Sequence, residues 1–121
     1  MKAIILQEQG INGAAYSEVA RQPIGPNDVC VKLKTAALNH RDIWTCLRTT
    51  EIETPVILGS DGAGVVCDLG GGVKDLSIGD EVVINSSLDW EKQDEVPIGD
   101  YNSGYKILGY PDHGTLSLIH I

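Results

Sequence analysis

LGSDGAGVVCDLGGGVKDLSIGDEVV, Leu58 to Val83, is the stretch on which the fold turns. Ala63 to Leu69 is a run suited to a strand, Gly70-Gly71-Gly72 breaks it, and Gly79-Asp80 turns the chain into a second strand over Glu81 to Ile84. Strand, glycine turn and strand in so short a space argue for tight β reversals. The same stretch sets one acidic side chain, Asp61, among Gly59, Gly62 and Gly64. Glycines allow sharp bends and close backbone approach. The carboxylate is therefore either a surface turn residue or part of a site for which the glycines leave room.

Upstream, Lys2 to Leu6 reads as a strand, Gln9-Gly10 and Asn12-Gly13 as turns, and Tyr16 to Ala20 as a second strand. Pro23, Gly25, Pro26 and Asn27 make a loop. From Asp28, DVCVKLKTAAL alternates Val29, Val31 and Leu33 with Cys30, Lys32 and Lys34, the period of a half-buried strand. The period changes in NHRDIWTCL, Asn39 to Leu47. There Ile43 and Leu47 lie four apart with Trp44 beside them, which predicts a short helix capped near Asn39. Pro55 leads a further apolar burst, PVILG. Past Ile84 the pattern dissolves, and residues 85–113 are polar without a period. A loop of that length is either functional or a sign that something is missing. The chain reads as mostly β with one or two short helices and no internal repeat.

The bulk numbers narrow the classes of function. The 121 residues suffice for one domain with a modest core, and 42% hydrophobic content is ordinary for a globular chain. With no Phe, that core rests on Val, Ile, Leu and Ala. Nine basic against seventeen acidic residues give a net charge of −8, which repels a phosphate backbone and argues against nucleic-acid binding. No apolar run approaches the roughly 20 residues that span a bilayer, and Ala3 to Leu6 is too short for a signal-peptide core. Cys30, Cys46 and Cys67 are odd in number, scattered and without a C-x-x-C pair. That favours reduced thiols that pack rather than a disulfide framework, hence a cytoplasmic setting.

Two blocks carry a resemblance. GSDGAGVVCDLGGGVKDLSIGDEVV resembles the stretch G-[HTS]-[ED]-x-x-G-x-V, then Gly-Val, then G-D-x-V of the medium-chain dehydrogenase/reductase superfamily. AALNHRDIW resembles the A-x-x-[CN]-x-x-D segment of the same family, in its usual order and distance. With the KAI start and the VKLK strand, the resemblance runs over residues 1–84. It implies a GroES-like, partly open β-barrel over residues 1–115, the N-terminal part of a two-domain oxidoreductase. The Rossmann domain that normally follows is expected to be missing from this chain. No G-x-G-x-x-G opens a helix after a strand, since Gly62-Ala63-Gly64 runs into a strand. The chain alone is thus expected to bind a dinucleotide weakly or not at all, and to be inactive.

The resemblance also implies roles. Zinc-dependent members place a Cys three residues before the Asp and a His-Glu pair after the Gly. Asn39 and Ser60-Asp61 stand there in this chain, and a neutral amide and a hydroxyl are poor zinc donors. No zinc is expected, and the resemblance narrows to the zinc-independent quinone oxidoreductases and enone reductases. A metal site from His40, Asp42, Asp61 and Cys46 can be imagined, but nothing in their spacing makes them converge. Asn39 is expected to hold a substrate carbonyl or the cofactor, its plain alternative being a helix cap. His40 and Arg41 match positions that touch the cofactor, or are solvated residues of a first helical turn. Asp42 matches an Asp that orients its neighbours, or serves the helix N-terminus. Trp44 and Ser60 are expected on the substrate side, with core packing the plain alternative for Trp44. Asp61 is expected to shape the cleft through hydrogen bonds to backbone or Arg41.

The expected whole is an NADPH-dependent oxidoreductase, a homo-oligomer at full length, passing hydride to a quinone or enone. A fragment of a zinc-type alcohol dehydrogenase and a non-catalytic GroES-like binding module are the rivals. In the family, the Gly-Thr of His113-Gly114-Thr115 is followed by something like [LF]-[AS]-E-Y-V. LSLIHI, Leu116 to Ile121, can instead be back-translated to the end of a transposon adapter, so residues 116–121 are read as a non-native tail, a natural strand of that composition being the plain alternative.

Overall fold

A computed structural model describes residues 1–50, 52, 55–88 and 106–121. The segment 89–105, most of the patternless stretch, lies outside the described residues. Nine strands are described: β1 (Lys2–Leu6), β2 (Ala14–Glu18), β3 (Val29–Ala37), β4 (Val56–Ile57), β5 (Asp61–Leu69), β6 (Glu81–Val83), β7 (Ser87–Leu88), β8 (Lys106–Ile107) and β9 (Ile119–His120). One α-helix, α1 (His40–Arg48), and a 3₁₀ turn over Ile11–Gly13 complete them. They form sheets of order β2-β1-β4, β6-β5-β3-β9 and β7-β8. The chain is mostly β, as its patterning predicts, but these sheets do not close into a barrel.

The core lies on both faces of the β1–β4 pair. Leu6, Cys46, Val56 and Leu58 form one buried cluster, and Ala3, Ile5 and Ile57 a second. Each buried Leu, Ile or Val stabilises the fold by roughly 1.5–3 kcal/mol. β2 begins at Ala14 rather than Tyr16, because Ala14 pairs with Leu6 as the 3₁₀ turn ends.

The long ladder between β3 and β5 departs from simple alternation. Cys30 faces Asp68 and Val31 faces Val66, so Cys67 is an extra residue bulged out of β5. A second shift leaves Lys34 extra on β3, between Leu33 opposite Gly64 and Thr35 opposite Ala63. Cys30 and Val31 are successive buried residues, where the half-buried strand read from the sequence would expose one of them.

Helix α1 forms where the spacing of Ile43 and Leu47 predicts it, with Asn39 as its cap, and it buries Asp42 and Cys46. Ile43, Trp44 and Leu47 are 45%, 43% and 44% exposed. Core packing is therefore not the role of Trp44 in this chain. Its ring lies 5.4 Å from that of His40, with the Arg48 guanidinium 4.2 Å from its centroid. The buried stripe carries a carboxylate because backbone donors await it there.

The C-terminal residues return across the sheets. Leu116 is linked to Ile4 and Leu58, Leu118 to Lys2 and Leu33, and β9 pairs with β3 through Val31–His120 and Lys32–Ile119. Residues 116–121 thus occupy an ordered edge of two sheets; backbone pairing of this kind reads strand shape, not side-chain origin.

Candidate functional site

The site is assembled where the end of β3, the start of α1 and the turn into β5 meet. Ala37 is opposite Asp61 in the β3–β5 ladder, so the Asn39 that opens α1 arrives beside the Gly59-Ser60-Asp61 turn. Asp42, 6% exposed, joins the two segments. Its Oδ2 accepts from the Asn39 amide at 2.8 Å and its Oδ1 from the Gly59 amide at 3.0 Å. Each charge-assisted bond contributes about 1.5–3 kcal/mol. Asp42 closes a capping box on the first turn of α1 and pins the Gly59 turn to it.

With its backbone so held, Asn39 turns its side chain into the site. Nδ2 donates to Ser60 Oγ at 3.4 Å and makes a short contact to Asp61 Oδ2. Ser60 is 5% exposed, whereas Asp61 faces solvent. A neutral amide, a hydroxyl and one solvated carboxylate therefore converge, with a second carboxylate buried behind them.

The turn itself requires glycine at position 59. Its φ is +95°, and a Cβ there would lie 2.6 Å from Leu116 Cγ and 2.8 Å from the Leu116 amide nitrogen. The chain of residues 113–116 fills that space. The Gly114, Thr115 and Leu116 amides donate to the carbonyls of Ile57, Gly59 and Leu58 at 2.7, 3.1 and 2.8 Å. The fully buried Thr115 donates its Oγ1–H to the Asp61 carbonyl at 2.8 Å, and His113 Nδ1 accepts from the Ile57 amide at 3.1 Å. These four residues position the site, yet sequence reasoning gave them no part in it. The available signal was the Gly-Thr match in His113-Gly114-Thr115.

The structure thus brings Asn39, Asp42, Ser60 and Asp61 together. It does not pair Arg41 with Asp61, one of the two partners expected for that carboxylate. The half-buried Arg41 instead donates through Nη2 to the carbonyls of Ile107 and Tyr110, both at 3.3 Å. A carbonyl pair within reach of the first turn of α1 wins the guanidinium. His40 and Trp44 lie on the exposed side of the helix. Cys46 sits one turn past Asp42; burial, and next the Asp42 charge, push its thiol pKa up. Gly62, Ala63 and Gly64 are inside β5, so they open no phosphate-binding helix. Among the described residues no three His, Cys, Asp or Glu side chains converge as metal ligands.

An apolar hollow of about 270 Å³ lies elsewhere, lined by Ile5, Val19, Pro55, Ile57, His113 and Ile119 among others, and touches none of the four converging residues. Its wall is mainly aliphatic.

The family described as the alcohol dehydrogenase GroES-like domain matches residues 25–119. A zinc-type alcohol dehydrogenase-like protein, YogA, of Leptosphaeria maculans is 33% identical over 108 residues, 83% of this chain and 29% of that one. Among solved structures, an NAD-dependent alcohol dehydrogenase superposes with a TM-score of 0.82 at 33% identity, covering 99% of this chain and 36% of the other. A quinone oxidoreductase of Pseudomonas syringae superposes with a TM-score of 0.70 at 23% identity, over 99% of this chain and 30% of its own; that likeness speaks for the fold alone. The chain spans little more than a third of these relatives at most.

Proposed function

The chain belongs to the alcohol dehydrogenase GroES-like domain family, and from that premise we propose that it is the substrate-side domain of a zinc-independent oxidoreductase. The reaction is hydride transfer from NADPH to a quinone or to the β-carbon of an enone. One observation carries this reading: the Asn39 carboxamide is hydrogen-bonded to Ser60 and Asp61 at the position the family resemblance gives to metal ligands. An amide and a hydroxyl are poor partners for zinc, which takes thiolate, imidazole or carboxylate. The donor set does not fit the metal, and no step passes through one.

Asn39 supplies two N–H donors, which rest on Ser60 Oγ and Asp61 Oδ2 until an acceptor takes their place, and Ser60 an O–H donor at the cleft wall. Their task is to receive the acceptor's oxygen as negative charge builds on it, the kind of preoriented donation that lowers a barrier. Asp42 fixes the backbone on both sides of that pair, and Asp61 keeps the amide turned outward. NADPH supplies the hydride when bound, held mainly by a nucleotide-binding domain beyond this chain. His40, exposed at the start of α1, and Arg41 are the residues of this chain assigned to its ribose and phosphates. The exposed Ile43, Trp44 and Leu47 offer an apolar face for the substrate channel or for that second domain. The proposal includes a homo-oligomer in the reducing cytoplasm, with no membrane or nucleic-acid partner. Among the described residues no helix is long and apolar enough to cross a membrane.

The test uses the full-length protein, NADPH and a panel of a quinone, an enone and a primary alcohol. NADPH oxidation by quinone or enone, undiminished by chelators, is expected. Asn39→Ala should lower kcat/KM by about 100- to 1,000-fold. A second reading, a zinc-type alcohol dehydrogenase, is favoured by the name of the Leptosphaeria maculans relative. Alcohol oxidation that stops on zinc removal would establish it. No turnover and no nucleotide binding would leave a GroES-like module that binds without catalysis.

A further inference from the structure

We propose that Cys30 and Cys67 form a redox-active dithiol that closes to an intramolecular disulfide on meeting a hydroperoxide. The pair lies at the opposite end of the β3–β5 ladder from Asp61, and the proposal is independent of the catalytic reading above. The bulge makes it possible. With Cys67 extra on β5, its side chain swings toward Cys30 on β3, and the two Sγ atoms stand 3.2 Å apart. A disulfide is about 2.05 Å long, so about 1 Å of closure suffices.

The two sulfurs differ in the ways a sensor needs. Cys67 is exposed, so an oxidant in solution reaches it. Cys30 is fully buried and reached only through its partner. Burial foremost, then the hydrogen bond and charge of Cys67, push the Cys30 thiol up to about 11. Arg21 counters this: its Nη2 stands 3.2 Å from Cys30 Sγ and 3.4 Å from Asp68 Oδ2. A guanidinium so placed stabilises negative charge as it forms on the Cys30 sulfur. The third thiol, Cys46, is buried in the core cluster with Leu6, Val56 and Leu58 and takes no part.

The chemistry balances in two steps. The Cys67 thiolate attacks one oxygen of hydrogen peroxide; an S–O bond forms, the O–O bond breaks, and the departing hydroxide takes a proton to leave as water. Cys67 sulfur is oxidised to the sulfenic acid and the peroxide is reduced. Cys30 sulfur then attacks the sulfenic sulfur. The S–S bond forms, the S–O bond breaks, and hydroxide leaves as water with the Cys30 proton. Two thiols and one peroxide give one disulfide and two waters, and a dithiol reductant reverses the change.

The test treats the reduced 121-residue chain with equimolar hydrogen peroxide and follows intact mass, free thiols and linked peptides. The expected result is a loss of two hydrogen masses, a fall from three titratable thiols to one, a single Cys30–Cys67 linked peptide, and full recovery with dithiothreitol. Cys30→Ser should halt at a sulfenic acid that dimedone captures on Cys67, and Cys67→Ser should abolish closure. If either variant fails to fold, the linked-peptide map of the unaltered chain decides alone. Three surviving thiols, a link through Cys46, or added oxygen on Cys67 without the loss of two hydrogens would overturn the proposal.

Discussion

One ladder, β3 against β5, ends in two different chemistries. At the Ala37–Asp61 end, neutral and acidic oxygen and nitrogen groups are gathered by hydrogen bonds to a helix start and a glycine turn. At the Cys30–Asp68 end, two thiols are brought together by one extra residue in a strand. The first end is held by side chain to backbone bonds; the second is set by register. Removing a side chain should therefore damage the fold at the first end and merely silence chemistry at the second.

The largest effect expected of that contrast is Asp42→Ala. It strands the Asn39 and Gly59 amides and should cost about 3 kcal/mol or more in urea unfolding. A loss under about 1 kcal/mol would show that Asp42 is not what joins the two segments. Gly59→Ala comes next, at about 2 kcal/mol, because it combines a positive φ with a clash against Leu116. Unchanged stability would mean that residues 113–116 do not press on the turn.

A smaller effect is expected with pH. Burial foremost, and also the neighbouring His113, hold the His120 imidazole below its ordinary value of 6.5, against the opposing pull of the Gly114 carbonyl. The unfolded chain therefore takes up its proton first as pH falls. The stability contributed by neutral His120 is fully present above about pH 6.5 and is lost as pH falls toward the lowered folded value. Urea midpoints at about pH 7.5 and about pH 5.5 should differ in that direction, and less so in His120→Gln. Smallest of all is Cys67→Ser, an exposed position, at about 0.5 kcal/mol or less under reducing conditions. A larger loss would make the thiol end structural and blunt the comparison.

The two ends also differ in how legible they are. Asn39, Asp42, Ser60 and Asp61 lie in two short segments whose glycines, cap and strand starts can be read locally, so their meeting follows once the β3–β5 pairing is assumed. The long strands β1, β3 and β5 and the helix after Asn39 were legible for the same reason. Cys30 and Cys67 were not: their approach depends on a bulge, and a single extra residue changes which side chains face each other. The return of residues 113–120 was equally hidden, because its partners Ile4, Leu33 and Ile57 are remote in sequence. Trp44 shows a different limit. Helical spacing identifies an apolar face, but not whether that face meets this chain's core or another surface, and here Asp42 and Cys46 take the buried side.

The measurement that tests the oxygen-and-nitrogen end most directly is the zinc content of the full-length protein purified from zinc-supplemented cells. Zinc far below one equivalent per chain, with activity intact after dialysis against a chelator, is the result expected of Asn39 and Ser60 as neutral wall residues. One tightly held zinc per chain, lost together with activity and displaced by Asp61→Ala, would contradict it.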